Sequence, residues 1–213
     1  MPGGDMVRVH PVNPEPRLLA RAAEVVRKGG VIAYPTDSIY ALGCRLEDKA
    51  AAERLRRLRG AERNHPFTLM CRDLSEIATY AHVSNSAYRL LKSLTPGPYT
   101  FVLPATREVP RRLMHPKRKQ IGIRVPDNRV AHDLLRQLDQ PLMSATVVLS
   151  NDYATLADAD AVALAYGHQL DLILDGGPSP GEPTTVLKLD EGRIEVLRRG
   201  RGKVGDWAEQ ASV

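Results

Sequence analysis

Thr36, Asp37 and Ser38 are three small polar residues that follow a short apolar run, Val31 to Tyr34, and Pro35. Pro35 removes a backbone donor and stiffens the chain. Polar groups presented where a buried strand ends are a common way to build a ligand site. The triplet also fits an ordinary turn, with Asp37 as an Asx residue, and magnesium binding by Asp37 is the sharper alternative. Arg124, in Ile-Gly-Ile-Arg-Val-Pro, ends a later strand and either grips an anion or joins a surface ion pair. His65 is either an acid–base group or, more commonly for a loop histidine, nothing catalytic. Other cations gather in two places. Arg54, Arg56, Arg57, Arg59 and Arg63 lie close together, and most of them fit a solvated face. At least one should point at a ligand, because a polar loop and a strand follow directly. Arg107, Arg111, Arg112, Lys117, Arg118 and Lys119 form the densest basic segment. It is either solvated surface or a contact for phosphates.

The whole chain narrows the chemistry. Its 213 residues suit one domain, and 43% hydrophobic composition suffices for a core. A net charge of +5 favours anionic partners such as nucleotides or RNA, though only modestly. Two cysteines, Cys44 and Cys71, make no disulfide framework and read as core thiols. No cluster of His and Cys suggests a metal. The N-terminal Met1-Pro-Gly-Gly-Asp lacks an apolar signal region, and no run reaches the length of a membrane span. We expect a soluble cytoplasmic protein. No G-x-x-x-x-G-K-[ST] loop, dinucleotide fingerprint or nucleophile elbow is present. A nucleotide would therefore have to be held by side-chain cations.

Periodicity places these residues on elements. We expect an edge strand over residues 7–10, a helix from Leu18 to Lys28 led in by Pro14 and Pro16, and a strand over 30–34. A helix over 48–59 and a strand from Phe67 to Cys71 follow. Asp73 with Glu76 has capping-box spacing, and Ser84 opens another helix that Thr95-Pro96-Gly97-Pro98 ends. Strands are expected at 99–103, 120–125, 142–149 and 170–174, with helices after Asn128 and over 158–168. A loop rich in Gly and Pro, 175–183, leads to a hairpin around Asp190-Glu191-Gly192. The expected class is α/β: a single domain over 7–202 with a twisted mixed sheet flanked by helices and a basic concave cleft, then a fraying tail over 203–213.

The stretch from Gly29 to Glu47, with its Tyr-Pro-Thr-Asp-Ser core, resembles the signature of the YrdC/YciO family, the threonylcarbamoyl-AMP synthases and their paralogues. The resemblance runs from about Val7 to Gly202, and Asn64 to Leu74 is most similar to the YciO branch. It implies a YrdC-like fold. It also implies a reaction in which threonine, bicarbonate and ATP, with magnesium, give threonylcarbamoyl-AMP and pyrophosphate for tRNA modification. Such chemistry needs positioning and offset of negative charge, with no covalent nucleophile. By the same resemblance, Arg59 and Arg124 have catalytic duties. Thr36, Ser144, Thr184 and Arg124 contact the small amino-acid substrate. Arg59, Thr146 and Arg198, or Arg199 beside it, contact the nucleotide, and from their place after the basic helix Arg63 and His65 are expected to join them.

Two departures from the family pattern stand out. Synthases carry Lys-x-Arg-Pro where this chain has Arg59-Gly60-Ala61-Glu62, so a cation is lost at Ala61 unless Arg63 compensates. Synthases carry Ser-x-Asn where this chain has Thr146-Val147-Val148, and valine offers no hydrogen bond. The sequence thus reads as a paralogue with weak or altered activity. The alternative is a tRNA- or double-stranded-RNA-binding protein that kept the fold without the synthesis. A third reading is hydrolysis of an adenylate or of a modified nucleotide in the same pocket.

Overall fold

The computed structural model describes residues 4–58, 67–114, 117–146, 157–190, 193–205 and 207. In chain order the elements are β1 (Asp5–Arg8), α1 (Pro16–Arg27), β2 (Ile32–Tyr34), β3 (Ala41–Arg45), α2 (Lys49–Leu58), β4 (Thr68–Met70), α3 (Leu74–Tyr80) and α4 (Asn85–Leu94). They continue with β5 (Tyr99–Pro104), β6 (Gln120–Arg124), α5 (Arg129–Leu138), β7 (Leu142–Ala145), α6 (Ala159–Tyr166), β8 (Leu172–Asp175), β9 (Thr185–Asp190) and β10 (Arg193–Arg198). Single 3-10 turns lie at Arg111–Leu113 and Gly167–Gln169.

Among the described residues the strands join in one ten-stranded sheet, ordered β1-β8-β2-β3-β7-β4-β6-β5-β9-β10. β8 is parallel to β1 and β2, β4 to β6, and β5 to β9, while the other neighbours are antiparallel, so the sheet is mixed as expected.

Local chemistry explains the boundaries. Pro16 begins α1 instead of preceding it, because a first-turn proline lacks only an N–H that the helix could not use. Gly29 ends the helix in the left-handed region at φ 84°, and the Gly30 N–H still bonds back to Val25 O, so β2 starts at Ile32, later than expected. Asp73, Ser84, Asn128 and Asp158 each cap a helix by accepting from the N–H three residues on. Glu76 completes its box on the backbone of Arg72, one residue before the cap. β1 does lie at the sheet edge, shifted to Asp5–Arg8 by its parallel register with β8. Of the strand expected over 142–149, residues 147–149 lie outside the described residues.

The two sheet faces are covered unequally. One face packs Ala33, Leu42, Leu69, Phe101, Ile123, Met143 and Leu187 into a core shared with α2, α3, α4 and α6. On the other face α1 and α5 cover Ile32, Tyr34, Met70, Leu142, Leu172 and Leu174. That cover stops midway. Farther along the same face β5 and β9 alternate buried residues with less buried ones, among them the half-buried Thr100, Val102, Val186 and Lys188. Strand alternation with a period of two makes that half of the face open.

Candidate functional site

The registry of the open face decides which polar residues meet. Leu142, Met70 and Arg124 are partners across β7, β4 and β6. Phe101 opposite Ile123 sets Thr100 beside Arg124, and Thr100 is paired in turn with Val186. Val186 is paired with Arg198 across a bulge in β10. A bulge adds one residue and re-aims those after it. Here the added residue is the exposed Leu197, and Arg198 arrives on the open face. Arg124 and Arg198 therefore stand in one row, three strand spacings apart, roughly 14 Å at the usual ~4.8 Å per strand. The adjoining row carries Ser144, Thr68, Gly122, Val102 and Lys188. At Gly122 a Cβ would lie 3.1 Å from Thr68 Oγ1, so glycine leaves the floor of this face low and polar.

The loop between β2 and β3 brings Thr36, Asp37 and Ser38 to the row's inner end. Thr36 is buried; its hydroxyl donates to Ile39 O at 2.7 Å and accepts from the Ser38 N–H at 3.1 Å. Thr36 thus holds the turn that Asp37 was expected to hold. Asp37 faces Arg124 instead, and the Arg124 Nη2 donates to Asp37 Oδ1 and, at 3.4 Å, to Thr36 Oγ1. The Arg124 side chain is 5% exposed and that of Asp37 11%, so the pair is buried. Arg124 Nε and Asp37 Oδ2 are both buried without a hydrogen-bond partner.

The Gly/Pro loop braces this turn from behind. The Gly181 N–H donates to Ser38 O at 2.9 Å, and the Tyr40 hydroxyl donates to Gly177 O at 2.8 Å. Gly177 and Gly181 have φ of 86° and 81°, which glycine alone adopts readily. Ser144 sits behind Tyr34, accepting its hydroxyl at 2.9 Å and donating to Leu42 O at 3.1 Å. At the outer end the Thr184 hydroxyl lies 2.9 Å from that of Thr100 and accepts from Arg198 Nη2 at 3.1 Å. Arg198 Nε also donates to Thr184 O at 3.1 Å.

The site residues expected from the sequence therefore divide. Ser144, Arg124 and Arg198 share one sheet face, with Thr36 in the loop at its inner end and Thr184 just before β9 at its outer end. Thr146 is exposed just beyond β7. Arg59, Arg63 and His65 lie outside the described residues. Arg54 donates to Gln169 O and pairs with Asp171, and Arg56 pairs with Glu53 and stacks on Phe67, so both stabilise the fold. The sequence reading missed Thr68, Thr100 and Gly122. Their signal was the alternation Tyr-Thr-Phe-Val-Leu in β5 and a lone glycine inside a buried strand.

Burial tunes the tyrosines behind the site. Desolvation pushes both Tyr34 and Tyr40 far above the ordinary 10.0, against the opposing hydrogen bonds from Ser144 and Gly176. A folded-state value above the unfolded one means that the neutral phenols stabilise the fold fully below pH 10, and that this is lost as pH rises through the folded range. Unfolding free energy is expected to fall steeply above pH ~10. Tyrosinate absorbance of these two residues should appear with unfolding, not ahead of it. If all 7 tyrosines ionised while the circular dichroism stayed native, this burial would be wrong.

The fold and site define a mixed-sheet α/β protein whose half-open face presents two arginines and a band of hydroxyls. The chain belongs to the Sua5/YciO/YrdC family: that family's model, described as telomere recombination, matches residues 24–200. It is 51% identical to the protein YciO of Escherichia coli (strain K12) over 196 residues, covering 92% of this chain and 95% of that one. The crystal structure of E. coli YciO superposes with a TM-score of 0.91 over 94% of this chain and 97% of that one, at 50% identity. The threonylcarbamoyl-AMP synthase of Chromobacterium violaceum is 32% identical over 182 residues, 85% of this chain and 93% of that one. The structure of P. abyssi Sua5 complexed with L-threonine superposes with a TM-score of 0.84 at 26% identity, over 92% of this chain and 57% of that one. Among the described residues no helix is long and apolar enough to cross a membrane.

Proposed function

We propose that the open sheet face binds a small amino acid at Arg124 and a nucleotide toward Arg198, and that the protein makes an adenylate of the threonylcarbamoyl-AMP kind, weakly or in altered form. The observation that carries this is the single row holding Arg124, Thr100, Val186 and Arg198, with the Thr184 hydroxyl bonded to Thr100 and Arg198 at its outer end and the Thr36 turn at its inner end. An amino-acid carboxylate matches the planar fork of a buried arginine. In the reaction, threonine's amine and bicarbonate give a carbamate and water. A carbamate oxygen then attacks the α-phosphorus of ATP, and the bond from that phosphorus to the bridging oxygen breaks to release pyrophosphate. The chain's part is to hold both reactants in line in a site where cations oppose the developing charge. Among the described residues no three of His, Cys, Asp or Glu stand together as a metal site. Magnesium would come with the nucleotide's phosphates, as part of the substrate.

The test is pyrophosphate release from ATP. We expect a slow rate that needs both threonine and bicarbonate. A rate equal to the blank, with folded protein, would overturn the proposal. Ala61→Arg with Val148→Asn restores two charge-assisted or polar contacts of the synthase pattern. The pair should raise the rate by about tenfold or more, since one such bond contributes ~1.5–3 kcal/mol.

A second reading has its own observation. Arg107, Arg111, Lys117, Arg118 and Lys119 are all exposed, at the end of β6 remote from Arg124. With 5% aromatic residues the chain favours backbone contact with structured RNA over base stacking. Double-stranded RNA or tRNA should then bind with an affinity that falls steeply as salt rises. Affinity independent of salt would remove this reading.

A further inference from the structure

Within the reading of Arg124 as the amino-acid site, we infer that Asp37 is the residue that selects for an amino group on the ligand. Arg124 and Asp37 share one hydrogen bond, from Nη2 to Oδ1. A guanidinium and a carboxylate can share two, and bidentate pairing is their common arrangement. Here the remaining atoms of the fork, Arg124 Nε and Asp37 Oδ2, both face no partner although both are buried. Leaving a buried charged group's donor or acceptor unmade is costly. Among the described residues the two nearby hydroxyls do not relieve the cost: Thr36 Oγ1 gives its proton to Ile39 O, and the Ser38 hydroxyl is engaged with Thr36.

The two orphans have opposite character. Nε–H is a donor and asks for an acceptor. Oδ2 is an anionic acceptor and asks for a donor. One ligand satisfies both when it carries a carboxylate and an ammonium a bond or two apart, which describes an α-amino acid. Its carboxylate would take the Nε–H of Arg124, and its ammonium would donate to Asp37 Oδ2. A plain carboxylate satisfies only the arginine. It also meets Asp37, a like charge on the same guanidinium, and is disfavoured for that reason. Asp37 is therefore a specificity residue that acts by attraction for the amine and by repulsion of acids lacking one.

A competing role for Asp37 makes the opposite prediction. If it merely plugs Arg124 until a carboxylate displaces it, neutralising Asp37 would strengthen binding of every carboxylate. Calorimetry with the full chain, without ATP, separates the cases. The titrants are L-threonine and its deaminated analogue, 3-hydroxybutanoate, on wild type and on Asp37→Asn. Wild type should bind threonine at least tenfold tighter than 3-hydroxybutanoate. Asp37→Asn should lose tenfold or more in threonine affinity and no longer discriminate, with thermal unfolding confirming that it folds. Two wild-type results sink the idea without the variant: equal affinity for both titrants, or a preference for 3-hydroxybutanoate. Threonine binding that is unchanged or tighter in Asp37→Asn sinks it alone and leaves the amino-acid site standing. No threonine binding by wild type overturns the site and the inference together.

Discussion

Arg124→Gln is expected to lower threonine affinity by roughly 30-fold to several-thousand-fold, because truncating one partner of a buried charge contact costs about 2–5 kcal/mol. Threonine-dependent pyrophosphate release should fall with it. The same change should also weaken the fold. Asp37 would be left as a buried carboxylate, 11% exposed, with no opposing charge. Breaking a buried pair from one side typically costs about 3–5 kcal/mol. The two effects separate in Arg124→Gln combined with Asp37→Asn, which removes both charges. Stability should then recover in urea unfolding, while binding and release should not. Arg124→Lys should also bind poorly, since a point charge cannot reproduce the planar fork. If the double variant recovered threonine binding along with stability, Arg124 would be structural only.

Phe101→Ala is expected to cost about 3–5 kcal/mol, a large share of the ~5–15 kcal/mol that holds a typical domain together. Phe101 is fully buried on the helix-covered face, between the register partners Ile123 and Leu187. Its ring stacks on Tyr99 with centroids 6.2 Å apart. A cavity there would loosen β5, the strand that carries Thr100 between the two arginines. The urea midpoint should drop by more than about 1 M. Val102→Ala, one residue on, is the control. Val102 is half-buried on the open face, so its truncation should cost much less. Equal losses from the two would mean that the face assignment of β5 is wrong.

Much of this was legible in the chain. The caps at Asp73, Ser84 and Asn128 follow from side-chain oxygens placed before apolar periodicity, which is local chemistry. The hairpin and most of the order of helices and strands are local as well, but β3 (Ala41–Arg45) was not among the expected strands. Thr36, Arg124, Thr184 and Arg198 were found by resemblance, and the structure sets Arg124 and Arg198 on one face with Thr36 and Thr184 at its two ends. What the sequence could not show is registry. Arg198 reaches the open face through a bulge at β10, and Thr100 becomes its neighbour through a parallel pairing with β9. The bulge lies in a hairpin, between Val186 and Arg198, and interrupts the period-two alternation, while the pairing of Thr100 with Val186 joins strands far apart in the chain, a registry that only tertiary structure sets. Asp37 illustrates the same limit. Asx-turn chemistry was the natural local reading, but a buried guanidinium 87 positions away outweighed it.

A crystal structure grown or soaked with ATP and L-threonine would test the central claim most directly. The threonine carboxylate should lie on Arg124 with its ammonium at Asp37, beside the Thr36 turn. The nucleotide's phosphates should lie on the same sheet face, toward Thr184 and Arg198. Saturating ligand found elsewhere, with the Arg124–Asp37 pair and the open face bare, would contradict that claim.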